Sequence, residues 1–158
     1  MYLTTEELKS VAYQYQLSEI TEDDNSICEM AINSAIEQVK SYLTPGDTKR
    51  YSDGRPRYDV ETIFAQVGDA RSPLLLELIK SVALFYIMRL ANVDIINQKA
   101  QDAYDRAIDY LEKVAAVGKY SDAPPLKLSL PLLPSPDIES DASLAFRSGS
   151  REKFNHDF

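Results

Sequence analysis

Apolar residues recur over the first 120 positions at intervals of three and four, the spacing that lines one face of an α-helix. The pattern predicts four helices. The first runs from about Thr5 to Gln16. Thr4 and Glu7 stand at capping-box spacing, and Leu3 and Leu8 at hydrophobic-staple spacing. Its stripe is Leu8, Val11, Ala12 and Tyr15. The second begins near Thr21 to Asp24, where an acidic run suits the positive end of a helix dipole. Cys28, Ala31, Ile32, Ala35, Val39, Tyr42 and Leu43 form its stripe, and Pro45-Gly46 ends it. The third has Ser72 as N-cap and Pro73 at the first helical position. It is apolar nearly all round to Ala91, with Glu77, Lys80 and Ser81 on a narrow polar face, as expected of a central helix. The fourth spans about Asn97 to Val117, pairs Asp109 with Lys113, and places Gly118 as its left-handed C′ residue.

Two stretches break this rhythm. Residues 44–71 read as a long loop with a short helix near Val60 to Gln66. Loops of that length inside a compact domain are more often functional. Lys49, Arg50, Arg55, Arg57, Tyr58 and Arg71 are its candidates for facing a partner or DNA, because guanidinium groups match phosphate and carboxylate geometry. The competing reading is a solvated loop with a local Arg57–Asp59 pair. After Lys119, Pro124, Pro125, Pro131, Pro134 and Pro136 exclude a helix. Leu126, Leu128, Leu130 and Leu132 alternate with Lys127, Ser129 and Pro131, which predicts an extended arm with one apolar edge. Such an edge either clasps a neighbouring subunit or folds back over its own helices. The inter-subunit placement is the favoured one, so deleting residues 120–158 is expected to weaken assembly and spare the helical fold. Residues 135–158 are polar and Ser-rich. The expected fold is all-α: a four-helix domain over residues 1–120, a long loop between helices two and three, and an extended Pro/Leu-rich C-terminal arm and tail over residues 121–158.

Charge narrows the range of partners. The net charge is −8, and residues 1–48 carry −7 of it, from nine acidic and two basic side chains. General nucleic-acid binding needs Lys and Arg to displace counterions, so DNA contact is expected to be local or non-sticking. The charges Glu77, Lys80 and Arg89 within Leu74 to Ala91 argue against a membrane span. Met1 to Lys9 lack a basic region followed by an apolar one, so no secretory signal is expected and folding in the cytoplasm is.

The chemistry-bearing residues are few. Cys28, the single cysteine, allows no intramolecular disulfide, and its place on an apolar stripe reads as a small buried hydrophobe. His156 is the single histidine and stands in the polar tail, a poor position for a general base. No phosphate-binding loop, dinucleotide glycine fingerprint or H-E-x-x-H motif occurs. Asp23 and Asp24 lack the following glycine and closing glutamate of a calcium loop. Asp102, Asp105 and Asp109 are interleaved with Arg106 and Lys113, as on a solvated helix face. No enzyme, cofactor or metal is expected.

Several segments resemble, in order, a Mu-like family of small virion proteins of tailed phages. They are Met1-Tyr2-Leu3-Thr4-Thr5-Glu6-Glu7-Leu8, the helix Ala35 to Leu43, the loop motif Arg57-Tyr58-Asp59, the core helix Ser72 to Lys80 and the last helix Tyr104 to Val114. The likeness covers about residues 1–120. It departs where Tyr110 stands in place of a frequent tryptophan and where Pro45 to Pro56 is longer than usual. The resemblance implies a head-to-tail connector, a neck or head-completion subunit made in the host cytoplasm and built into the virion. Such subunits form rings, commonly dodecameric, between the portal protein and the tail or a second neck protein, and DNA passes through. The alternative is a non-enzymatic adaptor or regulatory module encoded by a phage or prophage.

Overall fold

A computed structural model describes residues 2–22, 24–44, 56–91 and 98–133. The fold is all-α, with five α-helices among the described residues: α1 (Gln14–Thr21), α2 (Asn25–Leu43), α3 (Val60–Ala65), α4 (Pro73–Leu90) and α5 (Gln98–Ala115). Short 3₁₀ helices, Thr5–Ser10, Gly68–Ala70 and Gly118–Tyr120, link or flank them.

Three long helices make the core. α4 packs chiefly on α2, and α5 lies against both. The nearly all-round apolar sequence of α4 is explained by this double coverage: Leu75, Ile79, Val82, Ala83 and Ile87 are fully buried. Burying each of the larger ones contributes about 1.5–3 kcal/mol. The α2 stripe faces the core: Cys28, Ala31, Ile32, Ala35, Val39 and Leu43 are buried, and Tyr42 packs partly buried against it. Phe85 on α4 stacks on Tyr104 of α5 with centroids 4.1 Å apart. The Gln38 amide of α2 donates to the Tyr104 hydroxyl at 3.1 Å, so one tyrosine ties the three helices together.

The helix starts follow local chemistry. Ser72 caps α4 through the Leu75 N–H, with Pro73 at the first helical position. Asp24 caps α2 through the Ser26 N–H at 2.8 Å, and Asp59 caps α3 through the Thr62 N–H at 3.0 Å. Hydrogen bonds from Ser26 and from Thr62 hold the two carboxyls below the usual carboxylate range.

Two expected boundaries move. The first predicted helix is split: a 3₁₀ helix over Thr5–Ser10 gives way to extended backbone at Tyr13, and α1 then runs on to Thr21. The Thr4–Glu7 capping pair and the buried Leu3 and Leu8 are present as read. However, the Val11 and Ala12 N–H groups both turn back to the Leu8 carbonyl and close the segment. The apolar phase shifts across the break, so Leu17 and Thr21 point inward while Tyr15 is 65% exposed. At the end of α5, the left-handed C′ residue is Ala116 (φ 50°), two positions before Gly118. The Val117 N–H closes a Schellman turn on the Glu112 carbonyl at 3.1 Å. Gly118 is left-handed too, but it starts the following 3₁₀ turn.

The body extends past residue 120. The Leu126 N–H bonds the Lys113 carbonyl, one of the carbonyls the end of α5 leaves open. The chain then runs along the body to an antiparallel bridge between Tyr58 and Leu132.

Candidate interaction surface

Of the six loop residues that the sequence nominates for a partner or DNA, Lys49, Arg50 and Arg55 lie outside the described residues. Two of the other three turn inward, which corrects the expectation for them. Arg71 is a half-buried clamp. It donates to the Gly68 carbonyl (2.9 Å), the Tyr2 carbonyl (2.6 Å) and both carboxylate oxygens of Glu7 (3.0 and 2.5 Å). Its guanidinium also lies 5.9 Å from the centroid of the buried Tyr2 ring. The bidentate bond to Arg71 is the main reason the Glu7 carboxyl is lowered to about 2. With that geometry the guanidinium has little left to offer an outside phosphate.

Tyr58 is also buried, at 2% exposure. Its hydroxyl accepts the Leu128 N–H at 2.8 Å, and burial pushes its pKa up. Arg57 alone of the three keeps an exposed side chain. The local pair weighed for it is not formed, because Asp59 is engaged by the Thr62 N–H and hydroxyl.

The leucine arm is seated on its own domain. Beyond the Lys113 and Tyr58 bonds, the Asp59 N–H bonds the Pro131 carbonyl and the Leu133 N–H bonds the Arg57 carbonyl. Leu128 and Leu130 pack half-buried against the core. Leu126 and Leu132 stay 41% and 57% exposed. The predicted single apolar edge therefore does not persist. Backbone groups at even positions (126, 128) face the body before the bend at Ser129–Leu130, and those at odd positions (131, 133) after it. The expectation that all four leucines meet a neighbour is corrected for Leu128 and Leu130, whose contacts are internal.

The charged face of α5 converges on one carboxylate. Asp109 accepts from Lys113 (2.7 Å), from the Tyr120 hydroxyl (2.8 Å) and from Lys119. These bonds, led by Lys113, hold its carboxyl far below the usual range. Asp109, Lys113 and Lys119 line an open depression with Asp105, Arg106 and Tyr110. The Asp109 carboxylate is saturated by its own neighbours, so it is not itself free to act as an acid or a base. Cys28 is buried beside Thr21, and desolvation raises its thiol pKa, the opposite of a reactive thiolate. No metal-holding group of His, Cys, Asp and Glu occurs among the described residues, and no helix among them is long and apolar enough to cross a membrane.

Sequence pattern misses two features. Lys80 is almost fully buried in α4 and donates to Ser10 Oγ (2.9 Å) and Glu77 Oε1 (3.1 Å), which locks the N-terminal 3₁₀ helix onto the core. Tyr13 and Tyr15 stand exposed and stack on each other at 5.7 Å. Periodicity puts Tyr15 in the core, and only the break at Val11–Tyr13 reveals it as surface. Comparison with known protein families, curated proteins and solved structures returns no match.

Proposed function

We propose that this protein is a structural subunit of a phage virion, a head-to-tail connector or head-completion protein that assembles as a ring between portal and tail, with DNA passing through. The observation that carries the reading is the ordered run of sequence segments shared in pattern with Mu-like neck proteins, from the Thr4–Glu7 helix start to the Tyr104–Val114 helix. Two physical features support it. The body is a three-helix core tied together by side-chain hydrogen bonds such as Gln38 to Tyr104 and Lys80 to Ser10, which suits a building block. The charge of −8 suits a channel that lets DNA slide.

The test is electron microscopy of particles from phage carrying an early stop codon in this gene. DNA-filled or leaking heads beside detached, finished tails are expected. Normal tailed particles would remove the protein from the neck and leave the adaptor reading in its place.

A further inference from the structure

One combination, an aromatic ring beside a carboxylate, holds cations at three places in this fold. The Arg71 guanidinium lies 5.9 Å from the centroid of Tyr2 and donates to both carboxylate oxygens of Glu7. Lys40 lies 5.4 Å from the centroid of Phe64 and pairs with Glu37. Lys113 and Lys119 each lie 5.1 Å from the centroid of Tyr120, and both pair with Asp109. The ring offers the negative face of its π-system and the carboxylate offers charge and acceptor oxygens, so the two act on one cation together.

On α1 the same combination stands without its cation. Tyr13 and Tyr15 are 69% and 65% exposed, and their rings stack with centroids 5.7 Å apart and planes inclined by 19°. The buried residues of this helix are Leu17 and Thr21. Tyr15 and Glu19 therefore stand one helical turn apart on the side opposite Leu17, and Glu19 is exposed too. Residues 10–39 contain no lysine or arginine. Among the described residues no cation pairs with Glu19 or lies over either ring.

We propose that Tyr13, Tyr15 and Glu19 form a docking site for an arginine side chain of a basic partner protein. A guanidinium is planar. It stacks on a ring face and meets a carboxylate through two parallel bonds, as Arg71 meets Glu7, whereas an ammonium acts as a point charge. Nucleic acid carries no cation to offer. The net charge of −8, with −7 of it in residues 1–48, draws a positively charged protein to this part of the chain and disfavours a second acidic copy there. The site goes beyond the neck reading and does not depend on it.

The test titrates the isotope-labelled full chain at low ionic strength with a short blocked glycine peptide carrying two arginines, and with its lysine counterpart, and follows the amide and tyrosine signals by NMR. Saturating shifts centred on α1 are expected, weaker with the lysine peptide and reduced as salt is added. Two variants remove the parts separately, Tyr13→Leu with Tyr15→Leu and Glu19→Gln. Tyr13 precedes α1 without a side-chain capping bond, so its replacement costs the helix no cap, and circular dichroism and melting check that each variant folds. The ring variant is expected to bind about two- to fivefold more weakly, and the Glu19 variant about twofold. Shifts no larger on α1 than at the other exposed carboxylates would overturn the site. So would a ring variant that binds as tightly as the wild type, since the contact would then be one of charge alone. A lysine peptide that binds as well as the arginine peptide would overturn the assignment to arginine. None of these outcomes bears on where the protein sits in a particle, which the stop-codon phage decides separately.

Discussion

Arg71 directs four hydrogen bonds into the protein, two of them to Glu7 and one to the Tyr2 carbonyl. It thereby fastens the first residues of the chain to the segment that leads into α4. Its side chain is 11% exposed and that of Glu7 30%, so the pair is partly shielded from water. Bonds to charged partners in such places contribute about 1.5–3 kcal/mol. Arg71→Ala is expected to lower the unfolding free energy by about 2 kcal/mol near neutral pH, measured by urea titration. The pH dependence has a definite sign. The Glu7 carboxyl is lowered from 4.5 to about 2 in the folded chain, so the folded state holds the charged form more tightly than the unfolded one does. The stabilisation is complete above about pH 4.5 and is lost as pH falls through about 2. The gap between wild type and variant should therefore narrow between those values, and a gap that stays constant would show that Glu7 is not the partner that matters. In sequence, Arg71 is one cation of a basic loop. Nothing local distinguishes it from Arg57, because its carboxylate partner lies 64 positions away.

At the scale of elements, legibility in the sequence depends on whether a signal is local. The cap Ser72 and the stripes of α2 and α4 rest on spacings within one helix, and such spacings can be read directly. The break after Ser10 is not legible, because it comes from Leu8 accepting two N–H groups while Lys80 of α4 holds Ser10 in place. The arm is half legible. Alternation gives its extended form, but whether it docks on its own body or on a neighbour depends on bonds to Tyr58, Arg57 and Lys113, which no local pattern encodes. This bonding runs against the expectation that the helical fold is indifferent to loss of residues 120–158. Tyr58→Phe keeps the buried ring and removes the hydroxyl that accepts the Leu128 N–H. An N–H left without a partner costs about 1–3 kcal/mol. A loss of about 1 kcal/mol is expected, with faster hydrogen exchange at the Leu128 amide. Unchanged exchange there would mean that the arm is held by side-chain packing alone.

At the scale of the whole molecule, charge sets how the protein treats DNA. A net of −8 with residues 1–48 at −7 disfavours a broad positive face, and the inward turn of Arg71 takes it out of the cations free to meet phosphate. Binding a phosphate means displacing its counterions with a cation on the protein, and affinity falls with salt according to the number of phosphates so neutralised. The cations exposed on the arm side of the body, Arg57, Lys127 and the Asp109-paired Lys119, are too few to hold a duplex against salt at the physiological Debye length of about 8 Å. The full chain is therefore expected to give no mobility shift with duplex DNA at about 0.15 M salt, and at most a weak shift at low salt that salt abolishes. In the ring proposed above, such weak binding would be an advantage, since each retained phosphate would slow DNA movement through it. Retention of duplex that persists at physiological salt would contradict a non-sticking passage and recast the basic loop as a DNA clamp. The same titration on a variant carrying Arg57→Glu and Lys127→Glu separates the sources: loss of residual binding there assigns it to the arm side, and no change assigns it to other cations of the chain.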